Sequence, residues 1–515
     1  MADSPKPRGI PTPLASLAGV AAVVLGAGIG ELTARLIAPT ASPFATIGGA
    51  LIDSAPAWAK ETAIALFGTA DKIALVVGIA LVVVVLAAVA GWLEAQRPPW
   101  GLVVVAAFGV AGAVVALTRS DAGILSWLPG VVAGAVGAMT LRFLIRMQRT
   151  SRAPDSSDSG RRSFLLWSAG AVVAGIAAAA VGGIRTAGTV AVESVRRALK
   201  LPAAVSAAPP VPAAAELGIP GLAPVITPNS SFYRIDTAIL VPEIDPADWS
   251  LRIHGMVENE FTLSWDELLA LPLEESITTL ACVSNPVGGD LIGNALWLGY
   301  PIRELLARAK PTSGADMVLS TSRDGFTAST PIEALTDDRA AILAVGMNGE
   351  PLPLAHGFPV RMVVPGLYGY VSATKWVASL EVTRFDLARA YWTDRGWSER
   401  GPVKLQSRID VPRDRQGLKA GDTVIAGVAW QQHVGVSGVQ VQIDEGAWRD
   451  AELAAAISDD TWVQWSLPWT AEPGDHLIRC RAISSDGDTQ TADRADVIPD
   501  GATGWPERFI TVFEA

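Results

Sequence analysis

One cysteine beside a glycine-rich loop is the residue of this sequence best suited to chemistry. Cys282 is one of two cysteines among 515 residues, and the apolar run Ile277–Ala281 before it predicts a buried strand. The loop Ser284–Asp290 is polar and rich in glycine, so its backbone N–H groups can face a ligand. A thiolate at a strand end beside such a loop suits a soft metal or covalent catalysis. A buried structural cysteine fits the same pattern.

Four segments of the chain resemble, in the same order, segments of the sulfite oxidase superfamily. They are PNSSFYRID at Pro228–Asp236, TLACVSN and GDLIGNALWLGYPIRELL around Cys282, HGFPVRMVVPGLYGYVSATKW at His356–Trp376, and GPVKLQSRIDVP at Gly401–Pro412. The resemblance covers roughly Ile226 to Ala515. It implies an oxidoreductase with a molybdenum–pyranopterin cofactor whose metal is bound by Cys282.

The resemblance also assigns residues that would hold the cofactor. A pterin needs hydrogen-bond partners for its ring, and cationic or N–H donors for its phosphate. The matching positions are Asn229, Phe232, Tyr233, Thr321, His356, Arg361, Ser372, Thr374 and Lys375. A structural role stays open for His356, a solvated surface loop for Ser372–Lys375, and an Asx turn for Asn229.

The resemblance is less complete where the substrate would bind. Arg234 matches an arginine that lines the anion site of sulfite oxidases, so it is predicted to take part in catalysis. Those enzymes carry further arginines soon after the ligand cysteine, whereas Ser284–Gly289 reads SNPVGG and holds no basic residue. This difference weakens the prediction of a dianionic substrate such as sulfite. Tyr391, Trp392 and Trp397 are predicted either to wall the pocket or to pack in the core.

The first 200 residues lie outside the resemblance and contain most of the apolar excess. Half of all residues are hydrophobic, which is high for a soluble chain. Five segments are predicted to span a bilayer: Leu14–Ile37, Ile73–Leu93, Leu102–Leu117, Ile124–Leu144 and Phe164–Gly183. Pro43–Phe67 is less apolar and predicts a loop with an interfacial helix. The spans contain almost no charge, which favours a packed membrane anchor over a transporter.

Basic residues predict the orientation of these spans. Arginines and lysines concentrate before the first span and between the fourth and fifth, so the N-terminus is predicted to be cytoplasmic and the chain after the fifth span extracytoplasmic. Ser159–Leu166 reads SGRRSFLL and precedes an Ala/Gly-rich span. Arg161 and Arg162 therefore resemble a twin-arginine export signal, and ordinary topology charges are the alternative.

The chain is predicted to be multidomain. Residues 1–184 form a five-helix transmembrane bundle, 185–228 a Pro/Ala-rich linker acting as an extended tether, 229–412 an α+β molybdopterin-binding domain, and 413–515 an Ig-like β-sandwich. Cys480 falls on a predicted sandwich strand and is expected to be packed there. A disulfide between Cys282 and Cys480 stays open, although it would consume the metal ligand.

These features predict a membrane-anchored molybdopterin-dependent oxidoreductase that transfers an oxygen atom to or from a small substrate. An S- or N-oxide reductase of the same superfamily and a non-catalytic scaffold with a degenerate pterin domain are the alternatives. The net charge of −11 argues against nucleic acid as a partner. Neither haem nor an iron–sulfur cluster is expected, so a separate cytochrome or quinone-linked partner would carry electrons. The resemblance leaves a homodimer open.

Overall fold

The computed structural model of this protein describes residues 12–38, 41–54, 71–118, 122–150, 159–183, 187–238 and 240–514. Within these ranges the chain divides into two units. The first unit contains Met1–Ala191 and Thr237–Leu240, and the second contains Val192–Asp236 and Val241–Ala515.

Apolar helices make up most of the first unit. They are α1 (Thr12–Ile37), α2 (Pro43–Ser54), α3 (Asp71–Gln96), α4 (Trp100–Leu117), α5 (Leu128–Thr150) and α6 (Ser159–Gly183). The amphipathic helix α7 (Ala187–Ala198) follows, and its residues from Val192 on belong to the second unit. In the described residues, α1, α3, α4, α5 and α6 are long and apolar enough to cross a membrane, which confirms the predicted number of candidate spans. Helix α2 covers the start of the predicted interfacial segment Pro43–Phe67, whose residues 55–67 lie outside the described residues.

Glycines let these helices approach closely. A Cβ atom on Gly109 of α4 would lie 2.6 Å from the Cα atom of Gly134 on α5. A Cβ atom on Gly130 would lie equally close, 2.6 Å, to the backbone nitrogen of Ala113. Both distances are far below a van der Waals contact, so only glycine permits this packing. Gly109 and Gly130 thus serve the packing of α4 against α5.

The second unit begins with two sheets and several short helices. The strands are β1 (Ser250–Gly255), β2 (Phe261–Ser264), β3 (Glu274–Ala281), β4 (Ile292–Pro301), β5 (Met317–Ser322), β6 (Thr327–Pro331), β7 (Ile342–Met347), β8 (Glu350–Pro351), β9 (Arg361–Val363) and β10 (Val377–Thr383). The helices are α8 (Trp265–Leu269), α9 (Ile302–Ala309), α10 (Glu333–Thr336) and α11 (Gly369–Ser372). Sheet A has the order β2-β1-β10-β5-β6, and sheet B has the order β3-β4-β7-β8, with β9 paired to β7. A capping box of Ser264 and Glu267 starts α8.

Sheet B is buried on both faces. The last five residues of β3 are all buried, and so is every residue of β7. Leu280 packs in a core with Trp297 and Phe358, whereas its neighbour Ala281 belongs to a second core with Val345. Because successive side chains of a strand point to opposite faces, the two cores fix β3 from both sides. Cys282 is the residue directly after β3, so its backbone position is fixed by the packing of that strand.

The remaining strands form what we call the C-terminal module, residues 406–514. They are β11 (Gln406–Val411), β12 (Gly417–Lys419), β13 (Gly421–Trp430), β14 (Val436–Ile443), β15 (Arg449–Asp450), β16 (Glu452–Leu453), β17 (Val463–Ala471), β18 (Gly474–Ser484) and β19 (Glu507–Phe513). They form two sheets, β11-β13-β17-β16 and β12-β19-β18-β14-β15, which share one hydrophobic core. The predicted boundary after Pro412 is too late, because β11 pairs with β13 of this module.

Cys480 is a packed residue of this shared core, as predicted. It is fully buried on β18, and its Sγ donates to the hydroxyl of Ser407 at 3.3 Å. Both cysteines are free thiols. The alternative of a Cys282–Cys480 disulfide is therefore wrong, and Cys282 stays available as a ligand.

The predicted linker of residues 185–228 is not an extended, free tether: Ala187–Ala198 form α7, and the Pro/Ala-rich part that follows packs within the second unit. Ala215 and Val225 are buried, and the backbone N–H of Val205 donates to Leu273 at 2.8 Å. The Gln464 side chain of the C-terminal module accepts from the backbone of Leu217 at 2.7 Å. These contacts arise because the segment's apolar side chains and unpaired backbone groups find partners along the sheets. The segment is thus an integral layer of the second unit.

Candidate functional site

Cys282 lies where β3 leaves sheet B. Its backbone N–H donates to Leu291 at 2.9 Å, and its carbonyl accepts from Asn285 at 3.1 Å. The Asn285 side chain accepts from the backbone N–H of Leu291 at 2.9 Å and closes the loop. These bonds form one connected set, so the thiol and its loop are held as a single element.

The thiol is buried, with 9% of the residue exposed. Burial raises the pKa of the Cys282 thiol, and the backbone N–H and hydroxyl of Ser284 and the Lys375 ammonium oppose that rise. The loop therefore already supplies donors to the sulfur, and Lys375 supplies a positive charge. Both effects favour a thiolate ligand once a metal replaces the proton.

Three predicted cations meet around one carboxylate, and we call this set the cationic cluster: Arg234, Arg361, Lys375 and Asp236. The Lys375 ammonium lies 2.9 Å from Asp236, which also accepts from the Arg234 guanidinium at 2.9 and 3.3 Å. The side chains of Lys375 and Asp236 are 9% and 7% exposed. The three cations outnumber the carboxylate, and two of them, Arg361 and Lys375, are buried. The remaining positive charge is one that an anionic ligand would neutralise.

Arg361 carries most of that positive charge. It is 4% exposed and donates to the backbone carbonyls of His356 and Met362 at 3.2 and 3.4 Å and of Ala373 at 3.5 Å. In the described part of the chain it forms no ion pair. Burial lowers the pKa of Arg361 to about 10, and the electrostatic interactions with Tyr233 and Asp236 oppose that decrease. A buried guanidinium that bonds only to carbonyls at long distance fits a site for phosphate.

A glycine allows two of these cations to approach each other. Gly357 has a φ of +111°, and a Cβ there would lie 3.0 Å from the Cβ of Arg361 and 3.2 Å from that of Lys375. Any side chain would be strained and would separate the two cations. The packing of the cationic cluster therefore explains why a glycine, Gly357, follows His356 in the HGFPVR segment.

His356 offers an unused acceptor to a ligand. Its Nε2 lies 3.2 Å from the carbonyl oxygen of Asn229, so Nε2–H is the donor and Nδ1 carries the lone pair. Nδ1 is buried and has no hydrogen-bond partner among the described residues. Burial, with the Lys375 and Arg361 charges, lowers the pKa of His356 to about 3, so the ring is neutral. A pterin ring N–H would satisfy this atom.

Aromatic rings form a wall next to the histidine. Phe232 stacks on Tyr233 at 5.3 Å and contacts the edges of His356 at 5.5 Å and Trp297 at 5.8 Å. The Arg361 guanidinium lies 5.1 Å from the Trp297 ring. Burial, and the nearby Cys282, raise the pKa of Tyr233 above its usual range. Phe232 thus lies against both Tyr233 and His356, and a contact of these two aromatic rings with the pterin stays a prediction.

Four predicted contacts are placed differently. The Asn229 amide donates to the Met347 carbonyl and to Glu350, so it is occupied by protein, and its backbone carbonyl holds His356. Two hydroxyls are also occupied within the fold. Ser372 donates to Tyr368 at 2.9 Å, Thr374 lies 2.7 Å from the Ser320 hydroxyl, and Thr321 is half-buried on β5. The Asn229 amide and the Ser372 and Thr374 hydroxyls are thus engaged within the fold. A cofactor contact from Thr321 stays a prediction.

Sequence reasoning missed Asp236 and Arg408. Asp236 stands two residues after Arg234, and an acidic residue so close to a predicted cation was the available signal. Arg408 on β11 donates to the Gly289 carbonyl at 3.2 Å and pairs with Asp410, so a basic residue does reach the cysteine loop. No local pattern reveals a contact from so far along the chain.

The candidate wall at Tyr391, Trp392 and Trp397 belongs mostly to the core. Trp397 is 4% exposed, and its ring packs against Tyr370 at 5.8 Å and Trp392 at 6.0 Å. Tyr391 contacts Phe326 and lies under the Arg395 guanidinium at 3.6 Å. The packing interpretation accounts for these rings.

The pKa of Lys375 predicts how the affinity of the cationic cluster for anions depends on pH. Burial lowers its pKa from 10.5 to about 8, despite the Asp236 charge. Lys375 therefore loses its proton at a lower pH in the folded chain than in the unfolded chain. The free energy of unfolding of the cofactor-free protein should rise as the pH increases from about 8 to 10.5. The affinity for anions should change in the opposite direction and fall as the pH rises, because the cationic cluster loses the positive charge of Lys375. Calorimetric binding of inorganic sulfate to cofactor-free protein should weaken as the pH rises through about 8.

Lys375→Arg is the matched variant for this prediction. Arginine keeps its charge across the same range, so its sulfate affinity should stay nearly constant. An equal loss of affinity in Lys375→Arg and wild type would show that another group titrates.

The donor set fits a pyranopterin. Cys282 offers a soft sulfur, the cationic cluster offers charge for a phosphate, and His356 offers a buried acceptor for a ring N–H. Each group is held in place by the fold.

Comparison with known proteins agrees with this geometry. Residues 238–392 match the family model described as the oxidoreductase molybdopterin binding domain. Rat mitochondrial sulfite oxidase is 29% identical over 314 residues, which cover 52% of this chain and 57% of the rat protein. The chain thus spans little more than half the length of that relative.

Two further proteins are similar. The uncharacterized oxidoreductase YuiH of Bacillus subtilis is 31% identical over 173 residues, which cover 34% of this chain and 84% of YuiH. The sulfane dehydrogenase SoxCD from Paracoccus pantotrophus is 24% identical with a TM-score of 0.49, covering 55% of this chain and 81% of that one. On the sequence identity and coverage of these relatives, the chain belongs to the sulfite oxidase superfamily of molybdopterin-binding oxidoreductases.

Proposed function

We propose that this protein is a molybdenum-dependent oxidoreductase that transfers an oxygen atom to or from a small substrate. One observation carries the proposal. The buried excess charge of the cationic cluster lies next to Cys282, a fixed thiol at the end of a strand. Such an excess is costly unless a ligand neutralises it, and a pterin phosphate supplies the required charge.

The residues of the chain have distinct roles in this proposal. Arg361 and Lys375 bind the phosphate, the neutral His356 accepts from the pterin ring, and Phe232 with Tyr233 shields it from water. Cys282 holds the metal. When bound, the cofactor supplies a metal centre that exchanges two electrons and an oxygen atom with the substrate.

The charge near the cysteine loop favours a neutral substrate as a second candidate. Ser284–Gly289 has no basic residue, and the Arg408 that reaches it is paired with Asp410. Arg234 is likewise paired with Asp236. These pairs leave less free charge for a dianion such as sulfite, so an S- or N-oxide reductase of the same superfamily fits the loop well.

A substrate panel with purified holoprotein tests both candidates. Oxidation of sulfite with a dye acceptor supports the first, and reduction of a sulfoxide or N-oxide with a dye donor supports the second. A chain that contains neither molybdenum nor pterin would contradict both and favour a scaffold.

We further propose how this enzyme is arranged in the cell. The five apolar helices anchor it in the membrane with the N-terminus cytoplasmic and the second unit, which contains Cys282, outside. The C-terminal module serves as an Ig-like domain through which two copies associate. A separate cytochrome or quinone-linked protein exchanges electrons with the site. The support is the charge distribution of the sequence and the resemblance of the terminal strands to the family's dimerisation domain.

Reporter fusions test this orientation. A reporter that works only outside the cytoplasm should be active after Ala515 and silent near Gln148, because an odd number of spans separates the N-terminus from the second unit. The same reporter fused at the N-terminus is the control and should be silent. Activity near Gln148 with silence after Ala515 would reverse the orientation.

The paired arginines test the export route. Arg161 and Arg162 lie exposed on the first turns of α6. Changing both to lysine keeps the charge but removes the guanidinium pair that a receptor would read. The second unit should then stay protected from protease added to spheroplasts, whereas the wild-type unit is digested. Equal digestion of both proteins would show that these arginines act only as topology charges.

A further inference from the structure

We infer that the C-terminal module positions the cysteine ligand through a buried hydrogen-bond network centred on Thr279. This inference rests on the proposed function, because it assumes that Cys282 binds a metal. The Thr279 network consists of Thr279 and Asn294 on sheet B, Gln432, Asp460 and Trp462 of the C-terminal module, and Val225 of the Pro/Ala-rich segment. Thr279 stands three residues before Cys282 on the same strand.

The network covers the open edge of the strand that leads to the cysteine. β3 is the edge strand of sheet B and pairs only with β4 within that sheet. An edge strand leaves every second N–H and C=O without a partner. At Thr279 the N–H donates to the Asp460 carbonyl at 3.0 Å, and the C=O accepts from Gln432 Nε2 at 3.1 Å. The C-terminal module therefore acts as the missing neighbour strand at this one position.

The Thr279 side chain extends the same contact across the sheet. Its hydroxyl accepts from the Trp462 backbone N–H at 2.9 Å and donates to Asn294 Oδ1 at 2.9 Å. Asn294 Nδ2 and Trp462 Nε1 both donate to the carbonyl of Val225, at 2.8 and 2.9 Å. Three distant parts of the chain are thus joined in a closed ring of hydrogen bonds.

Burial makes this ring rigid. Thr279, Gln432 and Trp462 are each 2% exposed, and Asn294 is not exposed at all. Water cannot replace a lost partner at such depth, so each bond is costly to break. The nearest part of the network lies about 10 Å along the strand from Cys282, at ~3.3 Å per residue. A displacement of Thr279 should therefore displace the sulfur of Cys282 by a similar distance.

The same module also holds the loop on the other side of the cysteine. Arg408 of β11 donates to the Gly289 carbonyl at 3.2 Å. A Cβ on Gly288 would lie 3.3 Å from Pro506 and 3.7 Å from Arg508, so the module also packs against the backbone of the loop. Contacts before and after Cys282 thus come from one module, and they set the position of the thiol between them.

Thr279→Val tests the inference, with Thr278→Val as the matched control. Valine keeps the shape but leaves the Trp462 N–H and Asn294 Oδ1 without a partner. Thr278 is a neighbouring threonine that is not exposed, and its hydroxyl has no partner among the described residues. Thr278→Val should therefore behave as wild type. Gln432→Met removes the donor to the Thr279 carbonyl from the side of the module and should act like Thr279→Val.

The holoprotein is measured by the electron paramagnetic resonance spectrum of its molybdenum, by turnover and by its thermal midpoint. We expect Thr279→Val to shift the g-values and to lower turnover roughly 10- to 100-fold in protein that still contains metal, as groups that orient a ligand do. In cofactor-free protein, deuterium exchange of the β3 backbone should speed up in Thr279→Val and Gln432→Met but not in Thr278→Val. The variant that combines Thr279→Val with Gln432→Met should increase the exchange of β3 by less than the sum of the two single effects.

The outcomes separate this inference from the proposed function. Unchanged g-values and unchanged β3 exchange in folded Thr279→Val would overturn the positioning role while leaving the metal site intact. Wild-type protein without molybdenum would instead remove the proposed function. If Thr279→Val does not fold, Gln432→Met decides, because its spectrum must shift for the inference to stand.

Discussion

Cys282→Ser should abolish turnover while the second unit stays folded. Serine oxygen is a much harder ligand than a thiolate and binds a soft metal centre poorly. Removing a group that only orients a metal ligand already lowers metal affinity or activity roughly 10- to 100-fold. Loss of the ligand itself should therefore lower turnover further. The measurement is turnover per molybdenum in purified holoprotein, together with the molybdenum spectrum.

Cys480→Ser is the internal control for this result. That thiol is equally a free cysteine but lies in the core of the C-terminal module, where burial raises its pKa to about 12. Its replacement should leave turnover unchanged. Wild-type activity in Cys282→Ser would remove the ligand assignment, and equal losses in both variants would indicate a general effect of serine on folding.

Arg361→Ala should strongly reduce the amount of pterin per purified chain. A charge-assisted hydrogen bond of a guanidinium contributes about 1.5–3 kcal/mol, which corresponds to a roughly 10- to 150-fold change in affinity. Arg361 has no carboxylate partner in the described part of the chain, so its charge is available to the phosphate. The measurement is pterin content by fluorescence after oxidative release.

Two further variants show whether charge or shape is lost. Arg361→Lys keeps the positive charge but not the fork and should retain an intermediate amount of pterin. Arg479→Ala removes an arginine that pairs with Glu507 at 2.8 Å in the C-terminal module, and should not change the pterin content. Full pterin loading of Arg361→Ala would show that this arginine is structural.

Much of this site could be predicted from residue types near one another in sequence. The apolar run before Cys282 and the glycine-rich loop after it are local patterns, and each has the predicted place. The spans are equally local, because length and apolarity alone define them.

The rest depended on contacts between distant segments. Ser372 and Thr374 were predicted to bind phosphate, but their hydroxyls are used by Tyr368 and Ser320 inside the fold. The sequence pattern cannot show which hydroxyl turns inward. The packing of the Pro/Ala-rich segment and the position of β11 in the C-terminal module were missed for the same reason, since both depend on partners far along the chain.

X-ray absorption of the molybdenum gives the most direct measurement of the central claim. A dithiolene supplies two sulfur atoms and Cys282 supplies one, so wild-type holoprotein should show about three sulfur neighbours per metal and Cys282→Ser about two. Cys480→Ser should match the wild type. The same sulfur count in wild type and Cys282→Ser would contradict the account, because Cys282 would then not be a ligand of the metal.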